Sequence, residues 1–362
     1  MIEQIFFRAL SGGILALWDY VTAHILGCLI PAFFIAGAMQ ALMPKERITA
    51  LLGSKVPFYK AYPISVLSGL LLAVCSCTIL PLFAGIRKKG AGLGPAIAFL
   101  YTAPATNILA IAFTGGVIGW DFALARITLS IMFAIIIGMI LSAIFRNDEE
   151  RMAKAGASPP ISSGEKKSKL VGIRLVLFFA SLLLILIFGT AKFESALGQE
   201  LGAQVRIAGI VFTLLALLYE ISAWLSADEL MDWLLETWGF AKTIILLLLV
   251  GVFIAGMLGA LLPENFLKTY VGENTIPANM LAVFFGVFMY FPTLVEVPMA
   301  RAFLSLGMAK GPLLAYLLAD PVISFPSILV VRRLIGTKQT LAYVSLIIIF
   351  TTVAGFIYGS FS

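Results

Sequence analysis

Two cysteines, Cys75 and Cys77, lie in an apolar stretch and are followed by Thr78 and Pro81. Because Pro81 has no amide hydrogen, the carbonyl of Cys77 loses its helical partner and can face a cavity. Residues two apart on a regular helix point about 200° apart, so both sulfur atoms reach one ligand only where the helix unwinds. We expect Cys75, Cys77 and Thr78 to bind a soft ligand; the alternative is that the thiols pack as small apolar groups.

A carboxylate, Glu296, stands in another apolar stretch. A charged group in such surroundings is costly, so it indicates a functional site, either a proton carrier or a partner for a cation. We therefore place Glu296 at the substrate site. The structural alternative is a hydrogen bond to a neighbouring helix or an ion pair with Arg301.

Asn107 follows Pro104 by three positions, and Asp320 directly precedes Pro321. These prolines predict helix breaks, and broken helices expose backbone groups that can hold a polar substrate. We expect Asn107 and Asp320 to face one substrate pathway, with Asp320 a second candidate for proton coupling. The alternative for Asn107 is a hydrogen bond to the carbonyl that Pro104 exposes.

The remaining polar residues in apolar stretches have simpler interpretations. Asp19 and His24 are predicted at headgroup level, and Cys28 as a packing residue, with a role as a third thiol as the alternative. Arg126 and Glu220 are predicted near helix ends, where long side chains can extend to the membrane surface.

The motifs of several protein classes are missing from the sequence. With one histidine and three cysteines in apolar stretches, neither an imidazole metal centre nor a disulfide framework is expected. No nucleotide-binding loop and no serine–histidine arrangement occur. We therefore predict a protein that is not an enzyme, has no cofactor or resident metal, and draws energy from an ion gradient or a partner.

The composition indicates where these residues must be positioned. Of 362 residues, 61% are hydrophobic and 12% charged, and the mean hydropathy is +1.04. A soluble domain carries about twice that share of charge. The net charge of +6 comes from basic residues between apolar stretches, a pattern that orients membrane proteins. The expected partners are membrane lipid and a small-molecule substrate, not nucleic acid. The sequence gives no indication of the oligomeric state.

Apolar runs long enough to cross a bilayer predict an all-α, polytopic membrane protein. The predicted transmembrane helices are 20–43, 62–86, 93–116, 122–145, 171–191, 205–225, 242–262, 278–302, 311–332 and 340–359. We expect these ten helices to form two duplicated four-helix halves, with kinked or broken helices around a central cavity.

Self-comparison supports the duplication. At one constant spacing, here called the repeat offset, Pro81 matches Pro298 and Pro104 matches Pro321. A segment around Gly37 matches one around Gly256 at nearly the same spacing. Internal duplications often place the site of a transporter between the halves. We therefore predict that 69–107 and 286–324 superpose around one cavity, with Glu296 opposite the thiols.

The chain divides into four parts. Residues 1–145 form the first repeat, and 146–169 form a charged, flexible linker, predicted to be cytoplasmic. Residues 170–226 supply two connecting transmembrane helices. Residues 227–362 begin with an amphipathic helix at the interface, 227–242, and continue as the second repeat.

The orientation of the halves stays open. Ten crossings place both termini in the cytoplasm and make the halves parallel, but they put Arg332, Arg333 and Lys338 outside, against the excess of basic residues expected inside. An inverted repeat brings them inside but needs an odd number of crossings in the connector. The first membrane helix is expected to serve as the signal, because no removable signal peptide is visible.

The segment from Cys75 to Asn107, CSCTILPLFAGIRKKGAGLGPAIAFLYTAPATN, resembles the signature of the ArsP-type permeases, and the resemblance covers nearly the whole chain. Characterised members of that family export trivalent organoarsenicals such as methylarsenite. The resemblance implies an inner-membrane protein in which Cys75 and Cys77 are candidate arsenic ligands, and trivalent arsenic prefers soft thiolates.

The leading hypothesis is thus a secondary efflux permease for a soft, thiol-reactive solute, with Glu296 or Asp320 exchanging a proton. One alternative is a permease for another small anion or a sulfur compound. A third hypothesis is a transmembrane thiol electron carrier, which needs a cysteine in each half, whereas position 292 is proline.

Overall fold

The computed structural model describes residues 2–22, 29–43, 45–54, 56–72, 76–148, 173–190, 199–260, 266–289 and 296–361. Every named element in these ranges is an α-helix. The first half contains α1 (Ile2–Tyr20), α2 (Ile30–Leu42), α3 (Lys45–Leu52), α4 (Phe58–Leu72), α5 (Ser76–Lys88), α6 (Leu93–Ala105), α7 (Ile108–Val117) and α8 (Trp120–Ile144). Two connecting helices follow, α9 (Ile173–Thr190) and α10 (Gln199–Trp224). The second half contains α11 (Ala227–Ala260), α12 (Phe266–Val271), α13 (Ile276–Met289), α14 (Glu296–Ser305), α15 (Lys310–Ala319), α16 (Phe325–Ile335) and α17 (Thr337–Phe361).

Four helices in the described ranges are long and apolar enough to cross a membrane: α8, α10, α11 and α17. Shorter apolar helices, among them α2, α6, α9 and α13, accompany them. The predicted all-α, polytopic membrane fold is confirmed.

The shorter helices occupy the interior. Every residue of α6 is buried, and so is every residue of α15 after Lys310. A helix that is apolar on all sides is stable only when other elements surround it. Both helices stop where prolines predicted a break: α6 ends at Ala105 and α7 begins at Ile108, and α15 ends at Ala319 and α16 begins at Phe325.

The predicted helix 62–86 is a pair of short helices rather than one crossing. Tyr62 in α4 lies against Gly94 in α6, and Gly69 lies against Thr102, so α4 and α6 run in the same direction. A tight turn at Gly90 then connects the end of α5 to the start of α6. The start of α4, the end of α5 and the start of α6 therefore lie close together. Helices α4 and α5 form a hairpin, and the chain leaves this hairpin on the same side on which it entered.

The second half has the same hairpin in place of the predicted helix 278–302. Asn279 in α13 lies against Gly355, close to the start of α15, and Gly286 lies against Tyr316 further along α15. A turn at Gly307 leads from the end of α14 into α15. Hydropathy did not separate these hairpins from single crossings, because two half-length apolar helices have the same composition as one full-length helix.

The two halves meet through α8 and α17, which run antiparallel. Phe122, near the start of α8, packs against Tyr358, near the end of α17, at 5.0 Å between ring centroids. Phe133 packs against Phe350 at 5.3 Å. Because both helices are long enough to span a membrane, their ends lie on opposite sides of it.

The first and seventh predicted helices also differ from the structure. The chain is helical from Ile2, well before predicted residue 20, and the predicted interfacial helix 227–242 is the first part of the continuous helix α11. Gly12 in α1 packs near the end of α11 against Gly256, while Phe34 in α2 packs near its start against Trp233. Contacts with α1 therefore lie near the end of α11 and contacts with α2 near its start. In the amphipathic segment, Trp233 and Phe240 are buried in protein, whereas Leu235 and Trp238 are exposed.

Corresponding helices follow the same order in both halves, from α2 to α8 and from α11 to α17. The first and last residues of α17 correspond to those of α8 at the repeat offset. The four glycines with positive φ in the described ranges form two pairs at this offset, Gly90 with Gly307 and Gly119 with Gly336. These φ angles, 90° to 152°, favour glycine because it has no Cβ atom.

The antiparallel arrangement affects the predicted orientation. Helix α17 begins on the side where α8 ends, so Arg332, Arg333 and Lys338 share that side with Lys88 and the start of the linker. The conflict with the expected cytoplasmic excess of basic residues is thereby removed. By the same geometry, α17 ends on the side opposite to the start of the linker.

The hairpins predict a specific labelling pattern. In a protein whose three native cysteines are replaced by serine, Lys60→Cys and Lys88→Cys should react with a membrane-impermeant maleimide from one side. Pro277→Cys and Ser305→Cys should react from the other side, and all four native side chains are exposed. If 62–86 were one crossing, positions 60 and 88 would be labelled from opposite sides, which would contradict the hairpin.

Candidate functional site

Arg126 and Glu296 form an ion pair between the two halves of the molecule. Arg126 lies on α8 and Glu296 is the first residue of α14, and both side chains are 0% exposed. The prediction that Arg126 extends to the membrane surface is wrong, because the neighbouring helices cover its position two turns into α8. Glu296 pairs with Arg126 and not with Arg301, whose side chain is exposed.

The pair is anchored to a third helix. Arg126 Nη1 donates a hydrogen bond to Thr114 Oγ1 on α7 at 3.3 Å, and Thr114 Oγ1 donates to the carbonyl of Ala110 at 2.7 Å. Arg126 therefore connects α7 and α8 of the first half to α14 of the second.

Three buried tyrosines accompany the pair. Tyr101 on α6 is close enough to Arg126 to interact with it electrostatically, and Tyr343 on α17 is close enough to Tyr101 to do the same. Tyr316 on α15 lies within range of Arg126, Glu296 and Asp320. Sequence reasoning missed this set. The sequence contained one indication of this set, because Tyr343 stands at the position that corresponds to Arg126 at the repeat offset.

Asp320 joins the same cluster. It follows α15 directly, is 3% exposed, and its amide donates to the carbonyl of Tyr316 at 2.9 Å. Gly286 of the second hairpin packs against it. The two predicted carboxylates, Glu296 and Asp320, therefore share Tyr316 as a neighbour.

Asn107 and Thr78 are buried, as expected for residues in the protein interior. Asn107 directly precedes α7, and its carbonyl accepts the amide of Ile111 at 2.9 Å. At the corresponding position, Ser324 caps α16 in a reciprocal arrangement with Ser327. Asparagine and serine are both favoured at helix starts, so these residues restart the broken helices. Their contact with a substrate stays a prediction.

The thiols are only partly described. Cys75 lies outside the described residues, as do Cys28 and His24. For Cys77 the structure describes the backbone, which lies in the first turn of α5. Pro81 is accommodated inside α5, so the chain is helical from Ser76 onwards and the predicted unwinding does not include Cys77.

Glu220 on α10 has a partner within the connecting helices. Its Oε1 accepts a hydrogen bond from Ser181 Oγ on α9 at 3.0 Å, and the residue is 7% exposed. The prediction that it extends to the membrane surface is therefore wrong. In the described part of the chain, no group of three or more His, Cys, Asp or Glu residues could hold a metal ion.

Crossing helices, two hairpins, two broken helices and a buried charged cluster between the halves define a multi-pass α-helical membrane protein of the kind that moves solutes. The chain belongs to the ArsP_1 family of predicted permeases, whose model matches residues 11–360. The resemblance in the sequence is thus confirmed.

Three relatives support this assignment. A UPF0718 protein of Methanocaldococcus jannaschii, MJ0584, is 37% identical over 94% of this chain and 93% of its own length. The UPF0718 protein YraQ of Escherichia coli K12 is 21% identical over 90% of this chain and 72% of its own. The UPF0718 protein YcgR of Bacillus subtilis 168 is 30% identical over 34% of this chain and 40% of its own. No solved structure matches the chain.

The buried pair predicts a stability pattern. Arg126→Ala or Glu296→Ala should each destabilise the protein by about 3–5 kcal/mol, because one buried charge is left without its partner. The double variant Arg126→Gln/Glu296→Gln should recover part of that loss. Purified protein can be heated in steps and the monodisperse fraction measured, with exposed Arg301→Ala as the control. Equal stability of the parent and both single variants would contradict a structural role for the pair.

Proposed function

We propose that the protein is a secondary permease that exports a soft, thiol-reactive solute such as a trivalent organoarsenical through the cell inner membrane. The observation that carries the proposal is the buried Arg126–Glu296 pair, which connects the two halves beside two broken helices. Charged groups inside a membrane protein mark substrate and ion pathways, and broken helices recur at transporter sites.

The two halves are proposed to be an inverted repeat produced by duplication. Support comes from the common helix order, from the glycine pairs at the repeat offset, and from the antiparallel packing of α8 on α17. Inverted repeats permit alternating access, because each half can adopt the conformation of the other around a site at their interface. This replaces the parallel arrangement that ten crossings favoured. Because each hairpin returns to its own side, each half loses one crossing, and two connecting helices then invert the second half.

Thiol capture is proposed to begin at the first hairpin. Cys77 lies in α5, and Cys75 stands two positions earlier in the sequence. Trivalent arsenic accepts soft thiolate ligands in preference to hydroxyl or carboxylate oxygen. Thr78, which is buried on the same turn, and Asn107 are proposed to contact the polar part of the solute.

Proton coupling is proposed to use the carboxylates. Glu296 is held by Arg126, so a proton that neutralises Glu296 weakens a contact between the halves. Asp320, which shares the neighbour Tyr316, is the second candidate. A proton is thereby linked to the interface that must rearrange during transport.

A second cargo class has its own support. Arg126 is a fully buried cation, and a guanidinium group binds carboxylates and oxyanions through two parallel hydrogen bonds. This favours the alternative of a small anion or sulfur compound, in which Cys75 and Cys77 only pack. The electron-carrier hypothesis gains no comparable support, because it needs a cysteine in the second half and none occurs there.

Replacing Cys75 and Cys77 with serine should abolish resistance to methylarsenite in a sensitive host, since a hydroxyl group is a poor ligand for arsenic. Membrane abundance should stay at the parental level, and Cys28→Ser serves as the matched control. Full protection by the double variant at equal expression would reject the thiol site and favour the anion cargo.

The carboxylates can be separated by flux measurements in proteoliposomes at several pH values. Glu296→Gln should retain substrate binding but lose the pH dependence of transport, because glutamine cannot exchange a proton. Asp320→Asn tests the second candidate in the same way. Parental pH dependence in both variants would reject proton coupling through either group.

A further inference from the structure

The ion pair lies among polar groups whose hydrogen-bonding capacity is not used. Among the described residues, no hydrogen-bond partner is found for Tyr101 OH, Tyr343 OH, Ser130 Oγ or Arg126 Nε, and all four atoms are buried. Glu296 Oε2 is also buried, and no hydrogen-bond partner is found for it among the described residues. Buried polar groups in proteins are almost always satisfied by protein, water or a ligand. The cluster therefore has the character of a binding site.

The groups are connected in space and come from both halves. Ser130 lies one helical turn after Arg126 on α8, Tyr101 lies within electrostatic range of Arg126, and Tyr343 within range of Tyr101. Guanidinium, phenol and hydroxyl groups can all donate hydrogen bonds. Of these donors, the guanidinium group of Arg126 has the Glu296 carboxylate as its partner, whereas the hydroxyl groups of Tyr101, Tyr343 and Ser130 have none among the described residues. A ligand for this cluster must offer acceptor oxygen atoms and a negative charge.

We propose that this cluster is a proton-linked binding site for a planar, monovalent oxyanion, which replaces the Glu296 carboxylate on Arg126. The incoming anion brings one negative charge, and Glu296 takes one proton, forming its O–H bond with a proton from water. The charge of the site is unchanged by the exchange. The guanidinium keeps one anionic partner throughout, which a buried cation requires. This goes beyond the proposed export of a soft solute and holds for either cargo.

The charged neighbours of Glu296 define what else could take the proton. Arg126 faces it from α8, and Tyr316 interacts with it from α15; Asp320, which directly follows α15, interacts with the same Tyr316. Helices α7 and α13, which also pack in this region, contain no titratable residue, and Arg301 on α14 is exposed. Asp320 is therefore the competing proton acceptor that an experiment must separate from Glu296.

Nitrate is the probe, because it is planar and monovalent and stays ionised across the tested pH range. Binding to the purified full-length protein is measured by calorimetry between pH 6 and 8, with proton uptake followed in weak buffer. One proton per anion should weaken nitrate affinity about tenfold for each unit of rising pH. Sulfate should bind at least about tenfold more weakly, because its second charge lacks a cation in the buried site.

Variants separate this site from a structural role. Glu296→Gln should bind nitrate independently of pH and without proton uptake, with an affinity at pH 7.5 at least about tenfold above that of the parent. Arg126→Gln/Glu296→Gln, which leaves no buried charge alone, should lose nitrate binding. Asp320→Asn should keep the proton uptake, and Arg301→Gln should behave as the parent.

The proposal would be overturned by the absence of saturable nitrate binding by the parent, by pH-independent binding by the parent, or by binding retained in the double glutamine variant. Loss of proton uptake in Asp320→Asn, with uptake kept in Glu296→Gln, would also overturn it. The nitrate assay contains no arsenical, so a negative result in it does not bear on the proposed thiol site. Equally, a negative result with the cysteine variants does not bear on nitrate binding.

Discussion

A buried arginine must have a buried anion beside it, and this requirement connects the parts of the molecule. Arg126 on α8 is met by Glu296 at the first residue of α14, and it also contacts Thr114 on α7. An unpaired guanidinium group in apolar surroundings would cost several kcal/mol, so these helices are constrained together. Since α14 begins at the pair, its N-terminus must lie inside the protein, and that is possible because α13 and α14 form a hairpin and not one crossing helix.

Helix ends within a membrane are tolerated only where protein surrounds them, because lipid offers no hydrogen-bond partners. This explains which helices are enclosed and which face outward. Helices α6 and α15, which end at the breaks, are buried on all sides. The continuous helix α10 has no such ends at mid-depth, and it exposes large apolar residues such as Phe212, Leu215 and Leu218. A continuous helix such as α10 can take such an outward position, because its backbone hydrogen bonds are satisfied along its length.

The packing of the halves relates the charged cluster to movement. Tyr101 and Arg126 come from the first half, and Glu296, Tyr316, Asp320 and Tyr343 from the second. The contacts of Phe133 with Phe350 and of Phe122 with Tyr358 are contacts between aromatic rings. The Arg126–Glu296 contact differs from them because it joins two buried charges. A proton or an anion that acts on this pair therefore acts on a buried polar contact between the halves.

The sequence by itself determined the membrane environment, the all-α class, the family, the burial of Glu296 and Asp320, and the breaks after Ala105 and Ala319. These properties depend on composition, on a local proline, or on the cost of a charge in an apolar run, and each can be evaluated from neighbouring residues. Tertiary structure alone decided that Arg126 is the partner of Glu296, which lies in the other half of the chain, and that 62–86 turns back on itself. An arginine near a helix end has the same local sequence whether water or another helix covers it, and two short apolar helices have the same hydropathy as one long helix. Only the packing of the two halves separates these cases, because burial and direction are properties of contacts between segments distant in sequence.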